Sequence, residues 1–181
     1  MTPEGRNLPR LEPEAYLGLV AVHWTFSIED RATGWLHPSF HAHFREVLIH
    51  MGARYSCITP VYSLMPDHIH VLLRGVRVEA DLHLAARFLR QHTAKALLPA
   101  QYQKQAYDHV LREKEYQRGA FEKICFYIAE NPVRAGLCLT ANQYAFSGCV
   151  IPGYPDLQIH AAEYWNLFWK IHHRLTAAAT P

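Results

Sequence analysis

The sequence predicts an α+β domain built on a central antiparallel sheet, and three observations support this fold class. First, four segments rich in β-branched, aliphatic and aromatic residues alternate with three segments that carry apolar residues at helical spacing. Second, their order is strand, helix, strand, strand, helix, strand, helix. Third, only a tight link at 65–67 separates the second strand from the third. The first six elements match the split β-α-β, or ferredoxin-like, plan, in which helices cover one face of an antiparallel sheet.

The strands are predicted where such residues cluster between turn-forming residues. The first is expected over 16–29 with a break near Gly18, and a turn over 30–34 follows it. The second is expected over 55–64, the third over 68–76 and a short fourth over 106–112. We therefore expect an antiparallel sheet of four or five strands.

The three helices are predicted from apolar residues that recur about every 3.6 positions. The first opens at Pro38, which suits the first turn of a helix, and its apolar positions are Phe40, Phe44, Val47, Leu48 and Met51. The second spans 79–98, and its stripe consists of Leu82, Ala85, Ala86, Leu89, Thr93 and Ala96. The third spans 115–130 and ends before Pro132, with the stripe Ala120, Ile124, Tyr127 and Ile128.

The length of the chain limits the number of domains. Its 181 residues, half of them hydrophobic, are enough for one full core and too few for two ordinary domains. We expect a flexible N-terminal tail over 1–14, one domain over 15–150 and a C-terminal extension over 151–181 that packs on the domain. A short amphipathic helix is expected over 164–175, with the apolar positions Leu167, Phe168 and Ile171.

Composition says more about the cellular compartment of the protein than about its binding partners. The net charge of +2 hardly argues for nucleic acid, although residues 71–136 carry 11 Lys and Arg against 7 Asp and Glu. The four cysteines show no Cys-x-x-Cys spacing and are expected as small core residues in a reducing compartment. No stretch approaches the roughly 18 continuous apolar residues of a membrane span. A cytoplasmic protein with no membrane contact is expected.

The segment 65–70 reads Met-Pro-Asp-His-Ile-His and runs into the apolar third strand. Residues i and i+2 of a strand point to the same face, so His68 and His70 should project together from the open face of the sheet while Ile69 enters the core. Two imidazoles about 7 Å apart along the strand can approach one metal ion or one phosphate. Two half-buried histidines with no ligand would give the same pattern.

A second motif lies some sixty residues further on. It reads Tyr-Ile-Ala-Glu-Asn-Pro-Val-Arg-Ala-Gly-Leu over 127–137, and Tyr127 and Asn131 share one helix face, one turn apart. Taken singly, Tyr127 is also typical of a tyrosine in the core, and Asn131 is also typical of a residue that ends a helix. Together, in this order and spacing, the two motifs resemble those of the REP-associated tyrosine transposases, single-strand transposases of the HUH superfamily. The resemblance covers roughly residues 15–150.

The resemblance implies an enzyme that nicks and joins single-stranded DNA near palindromic hairpins bordered by a short recognition tetranucleotide. It implies that Tyr127 is the nucleophile, that His68 and His70 hold a divalent metal and that Asn131 helps complete the site. Mg²⁺ or Mn²⁺ suits such an open site, with water and phosphate oxygens as further hard ligands. Because relatives in the wider superfamily are often dimers, a monomer or a homodimer is expected.

Elementary chemistry agrees with these roles. A phosphodiester resists attack because its oxygens are negative, and a divalent metal can polarise a non-bridging oxygen. A phenol has an ordinary pKa of about 10, so it must lose its proton as it attacks. The product, a covalent 5′-phosphotyrosine, keeps the phosphodiester energy for rejoining, whereas attack by water only cuts.

Other polar residues are candidates for DNA contacts. Asp108 and His109 lie in the fourth strand, where a structural turn is the alternative. Arg134 either meets phosphate or caps the helix end by pairing with its carbonyls. The second helix adds three basic residues that either form a solvated face or follow the DNA backbone, namely Arg87, Arg90 and Lys95.

Two further histidine pairs are poor metal sites. His41 and His43 form another His-x-His, but positions i and i+2 of a helix lie on different faces and cannot share one ion. The adjacent histidines at 172–173 meet a similar objection. The sequence departs from the pattern of the REP-associated tyrosine transposases at 147–148, where it has Ser-Gly and the resemblance implies two serines. This difference puts a local contact in doubt.

Two hypotheses of other classes stay open. One is a non-catalytic module that binds single-stranded DNA or RNA through exposed aromatics such as Tyr62 and Trp24. The other is a metal-dependent hydrolase that uses the histidine pair and water. Tyr127 together with both histidines favours the transposase over the first, and a covalent protein–DNA adduct would separate it from the second. Tyr107 and Tyr116 are rival nucleophiles, but neither precedes an Asn-Pro-Val-Arg-Ala-Gly run.

Overall fold

The computed structural model describes residues 11–111, 119–155 and 157–178. Its centre is a five-stranded antiparallel sheet with the order β4-β1-β3-β2-β5. The strands are β1 Ala21–Ser27, β2 Cys57–Met65, β3 His68–Gly75, β4 Tyr107–Leu111 and β5 Ser147–Val150. The third strand lies between the first two, as the split β-α-β plan requires. The predicted α+β fold with a central antiparallel sheet is confirmed.

The helices of the described residues are α1 Pro38–Tyr55, α2 Leu82–Leu97, α3 Ala120–Ala129, the single turn α4 Asn131–Arg134 and α5 Tyr164–Ala177. The buried residues of α1 are the five that its periodicity predicts. The side chain of Asp81 accepts a hydrogen bond from the backbone N–H of Leu84 and so begins α2 three residues later than expected. The predicted start of the third helix at 115 and the end of the fourth strand at 112 lie outside the described residues.

The two helices of the split β-α-β unit share one face of the sheet, as predicted, and the helix that carries Tyr127 is added on the other face. α1 and α2 pack on one face, where β1 contributes Val22, Trp24 and Phe26. α3 and α5 pack on the other face, against Ala21 of β1 and Leu72 of β3. All nine residues of β2 are buried, as expected for a strand covered on both sides. This second helical layer is what brings residues 120–134 to the face that carries the even-numbered residues of β3.

The ends of the chain depart from the expected boundaries. A 3₁₀ turn at Pro13–Tyr16, in which Tyr16 is buried, begins within the segment predicted as tail, while residues 1–10 lie outside the described part. β1 starts only at Ala21, because Gly18 interrupts the chain with a φ of +78°. β5 is missing from the predicted order of elements, because Ser-Gly-Cys-Val is too short to show an alternation.

All four cysteines are free thiols, and Cys57, Cys125 and Cys149 are buried while Cys138 is partly exposed. Among the described helices, none combines the length and the apolar character needed to cross a membrane.

Gly75 marks a close approach of two backbones, and we predict that Gly75→Ala destabilises the protein by about 3 kcal/mol. An added Cβ would lie 1.9 Å from the carbonyl oxygen of Gly18, and neither backbone can move without disturbing β3. Gly34→Ala is the matched control, because Gly34 has a φ of +89° and nothing within 4 Å of an added Cβ. It should cost only the left-handed strain of about 1 kcal/mol. Urea denaturation measures both, and equal losses would contradict the steric account.

Candidate active site

β3 brings the two histidines of segment 65–70 together. Their side chains share one face of the sheet, while Ile69 between them is buried in the core under α1 and α2. The Nε2 atoms of His68 and His70 are 3.1 Å apart. His70 is only 7% exposed, whereas His68 is partly exposed. The pair therefore lies at the border between the core and solvent, on the face that α3 and α5 cover in part.

Asp67 orients the first imidazole. One carboxylate oxygen lies 2.6 Å from Nδ1 of His68, and the other lies 2.9 Å from Nε of Arg31. Because a carboxylate only accepts hydrogen bonds, Nδ1 of His68 carries a proton, and in the neutral form of the ring Nε2 then keeps a lone pair on the side of His70. Asp30 and Arg31 both have positive φ values, 53° and 55°, in the turn that presents Arg31 to Asp67. Left-handed backbone at two successive non-glycine residues costs about 1–2 kcal/mol each.

β1 supplies two polar side chains that the sequence analysis missed. Nε2 of His23 lies 3.0 Å from Nδ1 of His70, and Oγ1 of Thr25 lies 3.1 Å from the same nitrogen. Burial, assisted by nearby His109, lowers the pKa of His23 to about 4. Burial, assisted by the neighbouring imidazoles, lowers the pKa of His70 to about 3. Both rings are therefore neutral near pH 7 and can offer lone pairs.

α3 places Tyr127 against these histidines. Its ring centroid lies 6.2 Å from that of His70 and 6.3 Å from that of His23, in edge-to-face contacts. The side chain is 49% exposed, so the prediction that Tyr127 belongs to the apolar stripe of its helix is wrong. The buried residues of α3 are instead Phe121, Cys125, Ile128 and Ala129. The half-exposed phenol thus excludes a core role for this tyrosine.

The segment after α3 holds two more predicted residues. Nη2 of Arg134 donates a hydrogen bond to the Tyr127 carbonyl at 2.6 Å, and the guanidinium lies 4.2 Å from the Tyr127 ring centroid. This contact is the predicted capping of the helix end, and a contact of Arg134 with phosphate stays a prediction. Asn131 begins α4, and its Nδ2 is buried with no hydrogen-bond partner among the described residues. A buried amide without a partner is rare in folded proteins.

The alternation of β4 separates Asp108 from His109. His109 is in register with His23 of β1, so it lies on the face of the histidine pair. Asp108 lies on the opposite face, where it accepts a hydrogen bond of 2.5 Å from the Tyr16 hydroxyl. The structure therefore brings His109 toward the site and does not bring Asp108 there.

The three basic residues of α2 also lie away from the histidine pair. Arg87, Arg90 and Lys95 line a groove of about 750 Å³ that Trp24 also lines, on the opposite face of the sheet. Arg90 is half-buried and donates to backbone carbonyls at 103–104, which removes it from the predicted solvated face. Any DNA held in this groove would be separated from the histidines by the sheet.

The histidines of the other His-x-His sequence, His41 and His43 of α1, contact different partners, as predicted. Nε2 of His41 lies 2.7 Å from the Tyr62 hydroxyl, while Nε2 of His43 lies 2.9 Å from the His92 carbonyl oxygen.

Tyr62 and Trp24 are both buried, so the prediction that they are exposed stacking platforms is wrong. The non-catalytic binding hypothesis loses the aromatics on which it relied.

The Ser-Gly at 147–148 has a packing explanation. Oγ of Ser147 lies 2.9 Å from Oγ of Ser63, so this contact between β5 and β2 is present. A Cβ at Gly148 would lie 2.8 Å from the Tyr62 hydroxyl oxygen and 3.1 Å from a guanidinium nitrogen of Arg45. A serine at this position would require the Tyr62 and Arg45 side chains to shift.

The donor set at His68 and His70 fits a divalent metal with open positions. Two imidazole nitrogens 3.1 Å apart match adjacent corners of an octahedron with bonds of about 2.1 Å, whose edge is about 3.0 Å. Among the described residues, no group of three or more His, Cys, Asp or Glu side chains is arranged to hold a metal ion. The remaining ligands of such an ion would therefore have to be other oxygen donors, water or substrate.

Comparison with solved structures finds a likeness in fold. The chain is similar to a solved structure of a REP-associated tyrosine transposase bound to a REP hairpin, with a TM-score of 0.63 and 19% sequence identity. The similarity covers 78% of this chain and 81% of the other. No protein-family model and no curated protein matches the chain. At this identity the likeness shows a shared fold.

Proposed function

We propose that this protein is a tyrosine transposase that nicks and rejoins single-stranded, hairpin-forming DNA through a covalent 5′-phosphotyrosine. The observation that carries the proposal is the contact of the half-exposed Tyr127 ring with His70, whose Nε2 lies 3.1 Å from Nε2 of His68. A core packing role would bury the tyrosine, and two facing imidazole nitrogens can bind one ion together. The fold shared with a hairpin-bound tyrosine transposase supports the same conclusion.

Three side chains would hold the metal, namely His68, His70 and Asn131. Asp67 leaves the Nε2 lone pair of His68 free for it. Exchanging the amide oxygen and nitrogen of Asn131 would turn a buried nitrogen without a partner into a hard oxygen donor. When bound, Mg²⁺ or Mn²⁺ would polarise a non-bridging phosphate oxygen and stabilise the negative charge that develops there.

Tyr127 performs the covalent step. Its phenolic oxygen loses a proton and attacks phosphorus, the new O–P bond replaces the bond to the 3′ oxygen, and the released 3′ oxygen takes up a proton. In the reverse reaction, a 3′ hydroxyl attacks the phosphotyrosine and frees the phenol. The exposed guanidinium of Arg134, 4.2 Å from the Tyr127 ring, places positive charge beside the incoming phosphate.

The experiment uses a pool of single-stranded hairpins with randomised flanking tetranucleotides, each labelled at one end, incubated with the full chain and Mn²⁺. Label at the 3′ end should become attached to protein that resists denaturation. Label at the 5′ end should appear on a shorter fragment that terminal transferase can extend, because it ends in a hydroxyl. A hydrolase would shorten the DNA without attaching it, and a binding module would leave it intact; either result would reject the proposal.

The groove beside α2 yields a separate prediction about affinity. If Arg87 and Lys95 follow the DNA backbone, the double alanine variant should weaken hairpin binding about three- to tenfold at low salt. The slope of log K against log salt should fall by about 1.4, because each cation lost from a single-strand contact removes about 0.7. Adduct formation at saturating DNA should not change, because the groove lies across the sheet from Tyr127. Fluorescence anisotropy over a salt series measures the slope, and an unchanged slope would exclude the groove as a DNA contact.

A further inference from the structure

We propose that His23 is a positioning residue that holds the proton of His70 on Nδ1 and thereby commits Nε2 of His70 to the metal. This inference rests on the proposed function, because it assigns a partner to one of the proposed metal ligands. It concerns a side chain on a different strand, which neither sequence motif contains.

The requirement follows from the chemistry of imidazole. A neutral ring carries one proton, so a lone pair at Nε2 demands a proton at Nδ1. Asp67 meets this demand for His68 by accepting from its Nδ1. His70 is 7% exposed and has no carboxylate among its hydrogen-bond contacts with the described residues, so we seek the acceptor of its Nδ1–H among the other side chains there. Such partners of metal-binding histidines typically change metal affinity 10- to 100-fold when they are removed.

His23 supplies that acceptor. Its Nε2 lies 3.0 Å from Nδ1 of His70, and the ring is 8% exposed, so little water competes for the contact. Thr25 lies on the same face of β1, and its hydroxyl, 3.1 Å from Nδ1 of His70, is a second acceptor. His23 and Thr25 can each donate a hydrogen bond as well as accept one. They can therefore pair with Nδ1 of His70 in either tautomer, with or without a bound metal.

His23 does not act as a third metal ligand. Its Nε2 faces Nδ1 of His70, whereas the nitrogen that faces His68 is Nε2, on the other side of the ring. The His23 ring also contacts the ring of Tyr127, with centroids 6.3 Å apart. A change at His23 can therefore disturb the tyrosine as well, and cleavage alone cannot report on the tautomer of His70.

The test measures Mn²⁺ binding to the full chain without DNA, from the electron paramagnetic resonance signal of free Mn²⁺. His23→Ala should weaken Mn²⁺ binding about tenfold, because Thr25 remains as an acceptor. His23→Gln should bind within about threefold of wild type, since its amide oxygen can replace the lost nitrogen. His41→Ala is the matched control, a partly buried histidine bonded to Tyr62 outside the site, and should bind Mn²⁺ like wild type.

A second readout needs no variant. In the Mg²⁺-loaded wild-type chain, long-range ¹H–¹⁵N spectra should place the proton of His70 on Nδ1, and a proton on Nε2 would overturn the inference. Equal Mn²⁺ affinity of His23→Ala and wild type would overturn it too, as would a folded His23→Gln that binds as weakly as His23→Ala. A wild-type chain that binds no Mn²⁺ would reject the proposed metal pair itself, so the two failures are distinguishable.

Discussion

Tyr127→Phe should abolish the covalent protein–DNA adduct and leave hairpin binding within about twofold of wild type. The substitution removes one oxygen atom, and in the proposed reaction that atom forms the bond to phosphorus. The ring contacts to His23 and His70 do not depend on the hydroxyl, and α3 is anchored by other residues. Because the side chain is half-exposed, stability should change by less than about 0.5 kcal/mol.

Tyr107→Phe is the matched control for this variant. Tyr107 is 51% exposed and is in register with Thr25, so it lies on the same face of the sheet, on the edge strand β4. The control should form the adduct at the wild-type rate. Denaturing electrophoresis with 3′-labelled hairpin and Mn²⁺ measures both variants. An adduct that persists in Tyr127→Phe and disappears in Tyr107→Phe would transfer the nucleophile to β4.

His68→Ala and His70→Ala should each reduce adduct formation about a hundredfold or more. Each substitution leaves one nitrogen where the site offers two, and the charge that develops on the phosphate then lacks most of its stabilisation. His70→Ala should also lower the free energy of unfolding, since it opens space in a buried contact with His23 and Thr25. His68→Ala should be milder in this respect, because its ring is partly exposed.

His43→Ala controls for the loss of a histidine from a His-x-His sequence. Its imidazole bonds to the His92 carbonyl on α2, and it should retain Mn²⁺-dependent activity in full. Chelation is the complementary test: adduct formation should stop in EDTA and return when excess Mn²⁺ is added. Undiminished adduct formation in EDTA would show that the histidine pair acts without a metal.

The central sheet and the first two helices could be predicted because local pattern and tertiary packing agree there. Every apolar position predicted for α1 is buried, and β3 alternates around Ile69 as its period of two requires. The second helical layer could not be predicted in the same way. A strand covered on both faces shows a continuous apolar run, and β2 carries no sign of which helices cover it.

In the candidate site, too, some features follow from local sequence pattern and others only from tertiary packing. The shared face of the two histidines follows from strand geometry alone, whereas the position of Tyr127 depends on which face of α3 packs against the sheet. Periodicity predicts Tyr127 on the apolar stripe, but the buried residues Phe121 and Cys125 each lie one position after the predicted ones, and Ile128 is buried in place of Tyr127. His23 went unrecognised because its contact with His70 requires the register between β1 and β3. The His-x-Thr at 23–25 was a usable signal, since the ferredoxin-like order already sets these two strands side by side.

Peptide mapping of the adduct tests the proposed nucleophile most directly. Trypsin releases the three candidate tyrosines on separate peptides, 124–134 for Tyr127, 105–112 for Tyr107 and 115–118 for Tyr116. After reaction with a hairpin oligonucleotide in Mn²⁺, nuclease trimming and digestion, we predict that the residual nucleotide mass is attached to peptide 124–134. Nucleotide mass on 105–112 or 115–118, with 124–134 unmodified, would contradict the assignment of Tyr127.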